Sequence, residues 1–208
     1  MNYLAHLFLA EPSPESLLGN LLADFMKGPE VATLSEGVQA GVRLHRQVDS
    51  FTDRHPIVQR SIARISPLWG WYSGILIDVY FDHIFAATWQ LYSDETLRAF
   101  VDRIHCTLTD HIGEVPEACH RDLRRLIQSD RLYSYASRDG IADALSRLSH
   151  RIRERMPERD VRLELAMPDL RVCHADLADN FHEFFPQLIA FARNRKGHDS
   201  EQPLRRRV

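Results

Sequence analysis

The chain has 208 residues and a formal net charge of −3, with 44% hydrophobic and 26% charged residues. Those values exclude collagen-like, low-complexity and wholly disordered chains, and they argue against a general nucleic-acid binder living on phosphate attraction. A chain this long buries roughly 70% of its unfolded surface, so one domain needs no staples.

Apolar residues recur with a period of 3.6 and clean alternation is scarce, which predicts an all-α protein. A short apolar helix is expected over 3–10. Ser13 then caps a second helix with Pro14 in its first turn; Leu17, Leu18, Leu21, Leu22 and Phe25 form its inward stripe, and Gly28-Pro29 stops it. A third helix is expected from about Glu36 to Thr52, and a fourth from Pro56 to about Ile65, preceded by His55, which reads as a capping or surface histidine. The stretch 67–74, with Trp69, Trp71 and Tyr72, reads as a loop whose aromatic residues either pack on the core, the favoured reading, or form a lid over a substrate. Helices follow near 74–92 and 94–112, then shorter ones near 117–128, 130–137 and 140–155, the last after Asp139-Gly140. The final pattern runs from Pro168 to about Asn194, broken or kinked at Pro186. Residues 1–196 are thus expected to form one compact multi-helix domain and 197–208 a polar basic tail.

Cys106, Cys119 and Cys173 are odd in number and lack CxxC spacing, so no disulfide framework is implied. Each has a histidine neighbour, but adjacent helical residues point about 100° apart, which disfavours zinc sites. No uncharged run is long enough to span a bilayer, and the first residues lack the basic region of a signal peptide. A soluble cytoplasmic protein is expected. Of the 26 basic residues only Lys27 and Lys196 are lysines, leaving 24 arginines. Coding bias explains such an excess, and so does recognition of phosphate or carboxylate by guanidinium forks. The run Arg147, Arg151, Arg153, Arg155, Arg159, Arg162 carries acids among it and reads as a solvated face, or as a docking surface for an acidic partner.

Polar side chains on apolar helix faces carry the chemical signal. Asn20 and Asp24, His45 and Asp49, and Asp78 and Asp82 are each four residues apart. That spacing puts both members on one face, one turn apart. Asp53 extends the His45–Asp49 row, His83 follows Asp82, and His6 interrupts an apolar turn. An unpaired carboxylate among leucines costs several kcal/mol, and several such acids repel one another. A divalent cation removes both penalties, and mixed histidine and carboxylate ligands suit manganese, iron or zinc. The competing structural reading is that these acids face water or pair with Arg43, Arg46 or Arg54. The literal His198-Asp199 dipeptide lies in the basic tail and is not a candidate.

Four motifs carry a resemblance: Asn2-Tyr3-Leu4-Ala5-His6-Leu7, Gly19-Asn20-Leu21-Leu22-Ala23-Asp24-Phe25, His45-Arg46-Gln47-Val48-Asp49-Ser50-Phe51-Thr52-Asp53, and Asp82-His83. In order and spacing they resemble bacterial acyl carrier protein phosphodiesterases, as does the stretch around Phe181, Phe184, Phe185 and Pro186. That family is regarded as a divergent branch of the HD metal-dependent phosphohydrolases. The resemblance implies a divergent HD-domain-like all-α fold and a divalent metal, Mn²⁺. It also implies hydrolysis of the phosphodiester joining 4′-phosphopantetheine to a serine of holo acyl carrier protein, an acidic partner. The usual His-Asp dyad is reversed here, as Asp82-His83. On the matching positions, His6, Asp24, Asp82 and His83 are expected to ligate the metal. His45, steered by Asp49, is the expected general base or acid, Arg46 the phosphate clamp, and Asn20 and Asp53 substrate contacts. The alternatives are an HD-like phosphohydrolase acting on a nucleotide or another small phosphoester, and a non-enzymatic helical binding protein.

Overall fold

The computed structural model describes the backbone of residues 1–199 and the side chains as far as Arg195. The polar tail beyond Asp199 lies outside the described residues. Twelve α-helices and no strand occur among the described residues, as the hydrophobic period predicts. They are α1 (Tyr3–Leu9), α2 (Pro14–Leu22), α3 (Gly28–Val31), α4 (Glu36–Arg54), α5 (Pro56–Trp69), α6 (Ser73–Ala87), α7 (Leu97–Asp110), α8 (Glu117–Gln128), α9 (Arg131–Ser134), α10 (Arg138–Arg155), α11 (Met167–Val172) and α12 (His174–Asp199). No helix among them is long and apolar enough to cross a membrane.

Capping fixes several of these boundaries. The Ser13 hydroxyl accepts from the Ser16 N–H, Thr96 from Ala99, and Ser137 from Gly140. Because Ser137 already supplies the cap, α10 starts before Asp139-Gly140 rather than after it. The His55 side chain accepts from Ile57 N–H at the head of α5.

Helix α6 is buried almost all round, which makes it the central element. Phe81 and Phe85 meet Phe181, Phe184 and Phe185 of α12, with ring centroids 4.6–6.2 Å apart. Helices α2 and α4 touch backbone to backbone through Gly19 and Gly41. A Cβ on Gly19 would lie 2.8 Å from Gly41 Cα and closer still to the Val38 carbonyl oxygen. This approach brings the end of α2 against the middle of α4, where Asp24 meets His45.

Other boundaries differ from expectation. Helix α2 ends at Leu22, and Gly28-Pro29 opens the short α3 instead of stopping a helix, since proline is tolerated in a first turn. Helix α5 runs through Pro67 to Trp69, and Gly70 ends it at φ +49°. Pro67 deprives only the Ala63 carbonyl of a donor, and that residue is exposed, so water replaces the missing bond. Trp69 and Tyr72 pack on the core as expected, with Trp69 Nε1 donating to Asp169 at 2.9 Å, but Trp71 is 97% exposed. The helix expected over 74–92 stops at Ala87 before a 3-10 turn. The final pattern breaks at Cys173 and not at Pro186, which lies on the exposed side of a continuous α12.

Candidate metal centre

Helix α1 owes its position to the acid expected to ligate a metal. Asp82, fully buried on α6, accepts from the Leu4 N–H at 2.8 Å and from the Asn2 N–H at 3.2 Å. A carboxylate there satisfies orphan donors at the head of α1 and complements the positive end of its dipole. Burial raises the Asp82 pKa to about 7, although the terminal ammonium and the α1 N–H groups oppose the rise. Beside it the Met1 amino group pairs with Asp78 Oδ1 at 3.0 Å.

With α1 fixed on α6, His6 faces α4. Its ring stacks on that of His45 with centroids 3.8 Å apart and planes 14° from parallel. His6 Nε2 lies 3.0 Å from Asp49 Oδ1, and His45 Nε2 lies 3.1 Å from Asp49 Oδ2 and 3.5 Å from Asp24 Oδ1. One donor atom each from His6, His45 and Asp49 falls within a 4.8 Å cluster. Both imidazoles are buried, while the Asp49 and Asp24 side chains are 41% and 44% exposed, so the cluster opens to solvent on its acidic side.

The titration of these groups follows from the pairing. Burial disfavours the His45 imidazolium, but hydrogen bonds to Asp24 and Asp49 outweigh it and lift the pKa to about 9. Burial also penalises the Asp49 carboxylate, yet its pairing with His45 and the close approach of His6 hold it well below the usual range. His6 goes the other way. Burial lowers its pKa, with the Asp49 bond opposing and the charge of His45 adding to the fall.

These residues fit a divalent cation, and unpartnered atoms are the test. Both ring nitrogens of His6 and Nδ1 of His45 are buried without a hydrogen bond of acceptable geometry. Asp49 Oδ1 lies 3.0 Å from His6 Nε2 without forming a hydrogen bond to it. Buried polar atoms without partners cost about 1–3 kcal/mol each, and a cation bound by neutral imidazoles and carboxylates removes that cost. Asn20 adds a further orphan. Its amide donates to the Ser16 carbonyl at 2.9 Å, while Oδ1 is buried and unpartnered.

The remaining expected site residues lie elsewhere. Neither Asp82 nor His83 joins the 4.8 Å cluster. The Asp82 oxygens are held by α1, and His83 Nδ1 donates to the Tyr135 carbonyl at 2.7 Å. His83 lines a cavity of about 650 Å³ with Tyr80, Arg138, Arg171 and His174. Arg46 and Asp53 are exposed on α4. Burial and then Asp78 raise the Asp53 pKa, which puts that carboxyl among the acids at the rim. Two features escaped the sequence reasoning, the anchoring of α1 by Asp82 and the place of Tyr3 beside Phe25. Tyr3 precedes His6 by three residues on one helix face, a spacing that was there to be read.

Known proteins point the same way. The family described as acyl carrier protein phosphodiesterase matches residues 1–188. A protein of that name from Pectobacterium atrosepticum is 33% identical over 198 residues, covering 94% of this chain and 100% of that protein. Namesakes from Photorhabdus laumondii and Yersinia pestis are 33% and 37% identical, over 94% and 73% of this chain and 96% and 79% of their own lengths. No solved structure matches. Sequence motifs, helical fold and match along nearly the whole chain agree, and the chain belongs to the acyl carrier protein phosphodiesterase family.

Proposed function

We infer that this protein hydrolyses the phosphodiester between 4′-phosphopantetheine and the serine of holo acyl carrier protein, releasing the apo form, and that it does so with a divalent cation, Mn²⁺, in the cytoplasm. The reading is carried by the converging imidazoles of His6 and His45, three of whose four ring nitrogens are buried without a hydrogen bond, with Asp49 between them, in a chain of this family. His6, His45 and Asp49 would hold the cation, with Asp24 at the open side. That set replaces Asp82 and His83 as ligands, because the Asp82 oxygens already serve α1 and His83 faces another cavity. It also takes His45 and Asp49 out of a purely acid–base role.

A phosphodiester is anionic and resists hydroxide, so the site must neutralise charge and supply a nucleophile near neutral pH. When bound, the cation supplies both, through charge and through a more acidic water. The chain's own residues do the rest. Asp49 spans the two imidazoles and keeps them in register. Asp24, partly exposed beside His45, is placed to orient water or to accept its proton. The free Asn20 Oδ1 offers a hydrogen-bond acceptor from the floor. Histidine and carboxylate donors together favour manganese, iron or zinc over magnesium or calcium.

The test is intact-mass analysis of holo acyl carrier protein incubated with the enzyme, with Mn²⁺ and with chelator. Mn²⁺-dependent loss of the phosphopantetheine mass is expected. Bound metal with no loss would move the substrate to a smaller phosphoester. Neither metal nor cleavage would leave a helical binding protein.

A further inference from the structure

Arginines of α9 and α10 gather near the acidic side of the cluster. Asp24 lines a cavity of about 550 Å³ whose wall carries Arg151 and Arg155 together with the acids Glu30, Asp122 and Glu154. Arg151 and Arg147 are four apart on α10 and share a face, and the short α9, which begins with Arg131, packs on that helix. Tyr3, on the same face of α1 as His6, stacks on Phe25 with centroids 6.4 Å apart; burial raises the pKa of its hydroxyl, and the nearby Arg151 opposes the rise.

What these arginines lack is the informative part. Several guanidiniums elsewhere find acids, Arg60 with Glu183, Arg64 with Asp176, Arg98 with Asp130 and Arg103 with Glu95, while exposed ones such as Arg46, Arg54 and Arg124 stand in solvent without an ion pair among the described residues. Arg131, Arg147 and Arg151 have no carboxylate within ion-pair distance among the described residues, and Arg131 Nε is buried without a hydrogen-bond partner. Burial and then the neighbouring charges of Arg147 and Arg151 lower the Arg131 pKa, so the cluster is mutually repulsive. Cations held together against repulsion, with a buried N–H left over, are arranged for an anion.

We propose that Arg131, Arg147 and Arg151, with Tyr3, form an anion subsite that holds the phosphoryl group of the substrate at the edge of the His6–His45–Asp49 cluster. The proposal rests on the phosphodiesterase reading and adds to it the group that binds the charge. It assigns to α9 and α10 the clamp expected at Arg46, which is exposed on α4 with no ion pair among the described residues. Arg151 is suited to the task because it shares a cavity with Asp24, itself 3.5 Å from His45. Arg147 and Arg131 stand behind it and raise the local positive potential.

Two measurements test the subsite, and the first needs no catalysis. Inorganic phosphate is titrated by calorimetry into chelator-treated protein, comparing wild type, the double variant Arg147→Gln/Arg151→Gln, and Arg64→Gln as a control outside the site. The double variant should lose phosphate affinity about tenfold or more, as expected for two charge-assisted contacts, while the control matches wild type. It should also melt a few degrees (about 2–4 °C) higher without ligand, since repulsion is relieved, whereas arginines serving only the fold would lower the melting temperature. In the second, Mn²⁺-loaded enzyme is assayed on bis(p-nitrophenyl) phosphate and on holo acyl carrier protein, and the variant should lose activity on both. A loss confined to the carrier protein, with phosphate binding intact, would overturn the proposal and make this face a contact for the partner's acidic side chains. Unchanged phosphate affinity would overturn it too. Weakened phosphate binding in a protein whose wild type cleaves no diester would uphold the subsite and sink the hydrolytic reading instead.

Discussion

Replacing Gly19 with alanine tests whether the centre depends on the contact between α2 and α4. The added Cβ would sit 2.8 Å from Gly41 Cα and 2.9 Å from Val42 N, and nearer still to the Val38 carbonyl oxygen. All three neighbours are backbone, so no rotamer change relieves the overlap and the helices must separate by roughly 1 Å; overpacking of this kind costs about 1–3 kcal/mol. Alanine returns up to about 1 kcal/mol through lower chain entropy in a helix. The overlap wins, and a net loss of about 1–2 kcal/mol is expected by urea unfolding in chelator. The separation also acts on the site, because Asp24 follows α2 and His45 belongs to α4, and they meet at 3.5 Å. Manganese affinity by calorimetry should therefore fall more than tenfold, a change worth about 1.4 kcal/mol. Gly74→Ala is the matched control. It lies in the first turn of α6 with nothing within 4 Å of its would-be Cβ, and should be neutral or slightly stabilising. A Gly19→Ala protein as stable as wild type, with the same manganese affinity, would refute the argument.

Three further outcomes follow from the same geometry. His45→Ala should abolish stoichiometric manganese binding. In wild type the metal takes a neutral imidazole from a group whose pKa is raised to about 9, so binding near pH 7.5 should release a proton. Calorimetry in buffers of different ionisation enthalpy reads that proton, and a buffer-independent heat would contradict the ligand assignment. In chelator, a folded pKa of about 9 against an ordinary 6.5 means that His45 contributes stability in full below pH 6.5 and loses it as pH rises through 9. The urea midpoint of wild type should fall over that window more steeply than that of His45→Gln, and parallel profiles would count against the pairing. Asp82→Ala should destabilise the protein by about 2–6 kcal/mol, since two buried N–H groups lose their acceptor at about 1–3 kcal/mol each. The loss should persist in chelator, where removing a mere metal ligand would leave stability unchanged or improved.

Much of this centre was legible in the sequence because local geometry carries it. His45 and Asp49 share a face by spacing alone, and His6 stands out as a lone polar residue in an apolar turn. Asp24 was reached the same way, though it sits just beyond α2 and depends on the Gly19–Gly41 contact to meet His45. The two interior prolines were misleading for one reason: Pro67 and Pro186 lie on exposed helix sides, where water takes the freed carbonyl and no break is forced. His83 was excluded by a rule already applied to the His-Cys neighbours. Adjacent helical side chains point about 100° apart, so Asp82 and His83 do not both face one cavity.

Asp82 is the more instructive case, because the energetic argument that selected it was sound and its conclusion was not unique. A carboxylate buried among apolar residues needs positive potential, but a divalent cation and the N-terminus of a helix both provide it. The partner here is the backbone of α1, about 80 residues away in sequence, and no side-chain pattern announces it. Acids alone therefore do not separate a metal site from a helix anchor, whereas histidines do. A helix N-terminus gives each carboxylate oxygen a donor, as it does for Asp82. It has no use for two stacked imidazoles, of whose four nitrogens three lack a hydrogen bond, which is the condition of His6 and His45. Asp82 holds the helix that carries His6, and His6, His45 and Asp49 are the group placed to hold a cation. The two acids named together by one sequence argument, Asp82 and Asp49, thus do separate work: one fixes the frame, the other completes the centre.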